Sequence, residues 1–170
     1  MKKLSFFLFL FLLSCSSNEE PVKEIDWSKE KSMELNKTIA AEEKIAIKLF
    51  LAQHSDWKLT STGTGLQYYI YESNNGQPIK VGSIVDVKYK VTQLDGTVCY
   101  ETGEDEVLEV EVDHSQVETG LQEGLKKMKV GDKAKMIIPS HLAHGITGDL
   151  NKIPPLTPLV IDVQVTELLK

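Results

Sequence analysis

Residues 120–148 read GLQEGLKKMKVGDKAKMIIPSHLAHGITG, and residues 153–169 read IPPLTPLVIDVQVTELL. The first stretch changes its hydrophobic period midway. Val117, Leu121, Leu125 and Met128 recur at helical spacing, whereas Ala134, Met136 and Ile138 alternate with polar neighbours, so a short helix is followed by a strand. Ser115 with Glu118 three residues later predicts a capping box at the helix start. Lys126 and Lys127 stand at its end, where the helix dipole favours cations. Gly120 and Gly124 weaken the helix, so tertiary packing has to hold it. The second stretch alternates Leu159, Ile161, Val163 and Val165 with Asp162, Gln164 and Thr166.

The same period of two extends outward. In SIVDVKYKV, residues 83–91, Val85, Val87, Tyr89 and Val91 share one face and Asp86, Lys88 and Lys90 the other. In VLEVEVD, residues 107–113, Leu108, Val110 and Val112 oppose Glu109, Glu111 and Asp113. One apolar and one wet face per strand is the pattern of an antiparallel sheet, and Asp95-Gly96 supplies a hairpin turn. The expected fold is α+β: four or five strands curved around one short helix.

These residues, taken in order, resemble the FKBP-type peptidyl-prolyl cis-trans isomerases. The family's Gly-x-x-x-Gly helix, its Met-x-Val-Gly-x-x-Ala stretch and its Gly-x-x-Gly…Ile-Pro-Pro…Asp-Val ending all have counterparts. VGSIVDVKYKVTQLDG, residues 81–96, matches the family's earlier strand and turn. The match covers roughly residues 65–170. It implies an FKBP-like curved antiparallel sheet wrapped around one helix, and peptidyl-prolyl isomerase activity with no cofactor, no metal and no acid, base or nucleophile.

The resemblance also implies a prolyl pocket between helix and sheet, lined by Tyr89, Cys99, Tyr100, Leu108, Val117, Glu118, Leu121, His144, Ile153 and Ile161. The backbone N–H of Glu118 falls where the family binds a ligand carbonyl. Several positions depart from the pattern. Leu121 replaces the Trp of the floor, Ile161 a wall Phe, and Leu108 another Phe. Cys99-Tyr100 stands for Phe-Asp, and His144 for the Tyr whose hydroxyl donates to the bound carbonyl. The pocket is expected to remain apolar, to lose most of its aromatic lining, and to turn over weakly.

His141 and His144 stand three apart, yet the glycines after them argue for a loop, and a metal pair would need further ligands. His144 is expected at the pocket rim, either as an imidazole donor replacing the lost hydroxyl or as a bystander, and His141 as a solvent-facing neighbour.

The N-terminus carries a different message. Lys2 and Lys3 precede an apolar run from Leu4 to Leu13, and Leu12-Leu13-Ser14-Cys15 resembles a bacterial lipobox. A signal peptide over 1–14 and lipidation at Cys15 are expected, and with them a membrane anchor in the bacterial envelope. Removing Lys2 and Lys3 from the 19 basic residues leaves 17 against 25 acidic ones, a formal charge of −8, which argues against nucleic acid as a partner. Cys99 then stands without a disulfide partner.

Residues 15–32 read as a flexible tether, with the early acids resembling surface-export signals of some gliding bacteria. Residues 33–54 read as a helix outside the domain. Its imperfect stripe of Leu35, Ile39, Ile45, Leu49 and Phe50 suits docking either on the domain or on a second copy. Length, anchor and lead segment are similar to gliding-motility-associated FKBP-type lipoproteins. The expected partners are proline-containing exported polypeptides; the alternative to an enzyme is a non-catalytic chaperone or scaffold on the same fold.

Overall fold

The computed structural model describes residues 28–170. The expected signal peptide and lipidated Cys15 lie outside these residues. Two helices and seven strands follow in the order α1 (Lys29–Ala52), β1 (Thr60–Ser61), β2 (Gln67–Glu72), β3 (Ile84–Gln93), β4 (Val98–Glu101), β5 (Leu108–Glu111), α2 (Thr119–Leu125), β6 (Lys133–Ile138) and β7 (Leu159–Leu168). A single 3-10 turn, Ser140–Leu142, follows β6.

All pairings are antiparallel, in the spatial order β1-β2-β6-β7-β3-β4. The sheet has seven strands rather than the four or five expected, because β3 is long enough to serve several neighbours. It lies along β7 for its whole length, pairs with β5 through Ile84–Val87, and pairs with β4 through Lys90–Thr92. Between β3 and β4, Asp95 Oδ1 accepts from the Thr97 N–H at 2.9 Å and Gly96 adopts φ +87°. This is the turn that Asp-Gly favours.

The alternation read in the sequence is the sheet's two faces. Val85, Val87, Val91, Val110, Met136, Ile138, Ile161 and Val165 are fully buried on the concave side with Leu121 and Leu125 of α2 and Met128 just beyond it. At roughly 25 cal/mol per Å² of apolar surface removed from water, this cluster is the main source of stability. Helix α2 has only seven residues, too few to persist unaided, and its glycines explain how it is held. A β-carbon at Gly120 would overlap Ile138 Cγ2, and one at Gly124 would overlap Met136 Sδ. The helix backbone therefore lies directly on β6.

The predicted capping box does not form. Glu118 is the N-cap and makes no side-chain cap bond. Ser115 Oγ instead accepts from the Glu111 N–H at 2.8 Å. Gln122, buried in α2, holds the preceding loop from within: its Nε2 donates to the Ser115 carbonyl at 2.7 Å, and its Oε1 accepts from the Asp113 N–H.

Helix α1 begins at Lys29, inside the stretch read as tether, because Ser28 Oγ accepts from the Lys31 N–H at 3.3 Å and starts the helix. It ends at Ala52. The predicted stripe is only partly right, since Leu35, Ile45 and Leu49 remain exposed. The C-terminal half docks through Ile47, Phe50 and Leu51, with Trp57 and Leu59, onto Ile137 and Val160 of the convex face. Among the described residues no helix is long and apolar enough to cross a membrane.

Candidate functional site

The concave face and the loop between β6 and β7 bring the ten sequence-selected residues together in three layers. Cys99, Leu121, Ile153 and Ile161 form the floor, each at most 3% exposed. Tyr89, Tyr100, Leu108 and Val117 are half-buried against the same cluster and make the walls. Glu118 and His144 close the rim on the α2 side.

The floor is continuous core. Leu121 and Ile161 are fully buried, and the short aliphatic side chains replacing Trp and Phe are packed among β3, β6 and β7. Tyr89 stands beside α2. Burial raises its hydroxyl above the ordinary tyrosine range, and the negative charge of Glu118 adds to the effect.

The rim is polar in a way the sequence did not announce. The Glu118 carboxylate, 8% exposed, meets His144 Nε2 at 3.2 Å. Glu118 is thus a partner of His144 rather than a cap. Because Nε2 is engaged, it is not the free donor that a hydroxyl at this position would be. The Glu118 backbone N–H meets no acceptor among the described residues and leads the helix.

Across the rim, the Tyr100 hydroxyl donates to Asp149 Oδ2. Asp149 Oδ1 also accepts from the Asn151 N–H at 2.9 Å and the Ile153 N–H at 2.7 Å. Burial alone would raise this carboxyl, but the Tyr100 hydrogen bond, the two backbone N–H groups and the nearby His144 outweigh it and hold it at about 2. The same bond raises Tyr100, with burial and the charge of Asp149 acting in the same direction. Asp149 was missed by sequence reasoning; the signal available was an Asx-type turn, an Asp whose side chain bonds the N–H two residues on. The loop is also closed by the Asp149 N–H donating to the Ile153 carbonyl at 3.1 Å. Gly148, at φ +66°, packs against that same carbonyl too closely for a β-carbon.

The two histidines address different partners. His141, though exposed, places Nε2 3.0 Å from the Thr64 carbonyl and pins the turn before β2, while His144 turns to Glu118. Cys99 is a free, buried thiol, pushed up by burial first, with Sγ 3.8 Å from the Lys152 carbonyl of the loop. Together these residues form an apolar cluster under α2 with a polar rim.

The chain also has relatives among known proteins. The profile of the family described as FKBP-type peptidyl-prolyl cis-trans isomerase matches residues 75–166. The chain is 38% identical over 111 residues to the FKBP-type peptidyl-prolyl cis-trans isomerase FkpA of Escherichia coli K12, covering 64% of this chain and 39% of that protein. It is 31% identical over 153 residues to the probable FKBP-type peptidyl-prolyl cis-trans isomerase FkpA of Neisseria meningitidis serogroup B, covering 89% of this chain and 56% of that protein. The crystal structure of FkpA from Escherichia coli superposes with a TM-score of 0.67 at 31% identity, over 81% of this chain and 63% of that one. The chain thus spans well under two thirds of the length of these curated relatives.

Proposed function

Since the chain belongs to the FKBP-type peptidyl-prolyl cis-trans isomerase family, we propose that it is a peptidyl-prolyl cis-trans isomerase that assists the folding of exported proteins. The observation carrying this reading is the gathering of Tyr89, Leu108, Val117, Leu121 and Ile161 into one apolar cluster under α2, beside the Glu118 backbone N–H.

Rotating an X-Pro amide crosses a barrier of about 18–20 kcal/mol because the twist breaks amide resonance. The twisted amide has less charge separation than the planar one, so a dry apolar surface stabilises it differentially while a backbone donor holds the carbonyl. No covalent bond breaks, and the site needs neither nucleophile nor cofactor. Each ~1.4 kcal/mol of differential stabilisation gives about tenfold in rate.

Two features reduce that stabilisation. Leu121 and Ile161 offer less flat area than Trp and Phe, and His144 is engaged by Glu118. Turnover is therefore ~10- to 1000-fold below that of an aromatic-lined homologue, for a loss of ~1.4–4 kcal/mol. A protease-free, proline-limited refolding assay tests this: weak acceleration sustains the reading, and turnover at full family level removes the claim of reduced activity. FK506 binds weakly for the same reason, and nanomolar affinity by calorimetry would contradict it.

One observation favours a second reading, a non-catalytic chaperone or scaffold in envelope or gliding-motility assembly: the floor residues Leu121 and Ile161 are fully covered. The variant Leu121→Trp with His144→Tyr separates the two. Turnover gained by the variant and absent in the parent selects the scaffold.

The remaining assignments come from the sequence. A signal peptide over 1–14, lipidation at Cys15 and a domain over 65–170 place the protein on the envelope membrane through its lipid, and its partners are proline-containing exported polypeptides. Ile45 and Leu49, exposed on α1, support pairing of two copies through that helix.

A further inference from the structure

A distinct apolar hollow lies outside the proposed prolyl site. It is a groove of about 600 Å³ between α1 and the β6–β7 loop, within the range typical of sites that accept organic ligands. Ile39, Ile47 and Leu51 of α1 form one wall, and Pro139, Ile146 and Leu156 form the other. Ile146 is 78% exposed, so its side chain is available at the groove's outer wall.

The groove is held open by a bond across its floor. Glu43 of α1 accepts from the Ser140 N–H at 3.1 Å and from the Ser140 hydroxyl. The two walls are thereby fixed before any ligand arrives, which lowers the cost of binding. Its lining carries two lysines, Lys44 and Lys48, against one carboxylate, Glu43, on a chain of net charge −6. Lys44 and Lys48, one helical turn apart at the lip, take part in no ion pair among the described residues.

Continuity with the prolyl pocket is built into the loop. His144 faces Glu118 at the pocket rim, whereas Ile146, two residues later, faces the groove. Between them the Gly145 carbonyl accepts from the Leu156 N–H at 2.8 Å, which ties the two lips together. A chain with a proline in the pocket would meet the groove by crossing this one loop.

We infer that this groove is a second binding site for client polypeptide, taking an extended apolar segment that carries acidic residues beside it. The inference rests on the isomerase reading for the identity of the client. Engaging both sites with one chain raises the effective concentration at the pocket and favours substrates that are still unfolded. The face that carries Ile45 and Leu49 lies on the opposite side of α1, at 100° per residue, so pairing through that face leaves the groove open.

The test uses the full chain and a fluorescein-labelled, proline-free dodecapeptide of two aspartates followed by alternating leucine and serine. Anisotropy titration should show saturable binding. Lys44→Glu combined with Lys48→Glu should weaken it at least fivefold at low salt, as should replacing the peptide's aspartates with lysine. Ile146→Asp should weaken it by a similar factor. Turnover of a short proline tetrapeptide, which cannot span both sites, should be unchanged in all these variants. No binding, or equal binding by wild type and variants, overturns the proposal. So does self-association of the chain that excludes the peptide and is lost in the same variants. Groove binding without tetrapeptide turnover sustains the groove while removing the isomerase reading.

Discussion

The Glu118 carboxylate and the His144 imidazole meet at 3.2 Å across the mouth of the concave face, linking the residue that starts α2 to the loop that follows β6. Glu118 is nearly buried and His144 is 30% exposed by side chain. The partnership is therefore directed: the carboxylate depends on the ring more than the ring depends on it. A buried acceptor left without its donor costs about 1–3 kcal/mol.

His144→Leu should accordingly destabilise the domain by about 1–3 kcal/mol, and Glu118→Gln in the same chain should recover part of that loss. A double-mutant cycle read by urea unfolding should return a coupling of about 0.5–3 kcal/mol. Strictly additive single changes would mean that the contact carries no energy.

Gly120→Ala should destabilise by about 1–3 kcal/mol, and Gly124→Ala by less. Both β-carbons would overlap β6 side chains, but at Gly124 the neighbour is the flexible end of Met136, whereas at Gly120 it is the branched Ile138. Thermal unfolding of the two variants checks the order; the reverse ranking would place α2 at a different height above the strand.

Leu121→Ala should cost about 2–5 kcal/mol, because Leu121 is fully buried at the centre of the cluster. Urea midpoints measure it. A loss below about 1 kcal/mol would indicate an already loose floor.

Asp149 gives a prediction for pH. Its carboxyl lies at about 2, below the ordinary 3.8, so folding favours the ionised form. The stabilisation is complete above about pH 4 and disappears as pH falls through about 2. The amide signals of Asn151 and Ile153, both bonded to Asp149, should titrate together with a midpoint near the lower value. A midpoint near 3.8 would show that the carboxylate is not held.

Cys99 is buried and its thiol is pushed up mainly by burial, so less thiolate is available to react. Alkylation by iodoacetamide at neutral pH should be slow in the folded protein and rise with denaturant along the global unfolding curve. Fast modification in buffer alone would require local opening near Lys152.

How far the sequence could be read depended on distance along the chain. The alternation of Val85, Val87 and Val91, or of Leu159, Ile161 and Val163, is local and reports one buried face directly. In β2, QYYIYE, the first four residues are half-buried and the last two exposed, and no period of two stands out. In α1 the docking face is set by Ile47, Phe50 and Leu51 meeting Ile137 and Val160, a tertiary fact that left Leu35, Ile45 and Leu49 as misleading members of the stripe. At the site, the family resemblance could suggest the apolar residues, most of which occupy a strand or helix position. It could not suggest the polar rim. Glu118 and His144 are 26 residues apart and Tyr100 and Asp149 are 49 apart, and Ser115, which reads locally as a cap, is captured by the Glu111 N–H instead.

Helix α1 is anchored through its second half, from Glu43 to Leu51. Its 24 residues span about 36 Å at 1.5 Å per residue, and residues 29–38 are exposed. Whatever holds the chain at its beginning therefore steers the domain through a stiff rod with one welded joint. The direction in which the concave face looks is a matter of leverage, and shortening the rod by one residue would turn that face by about 100°.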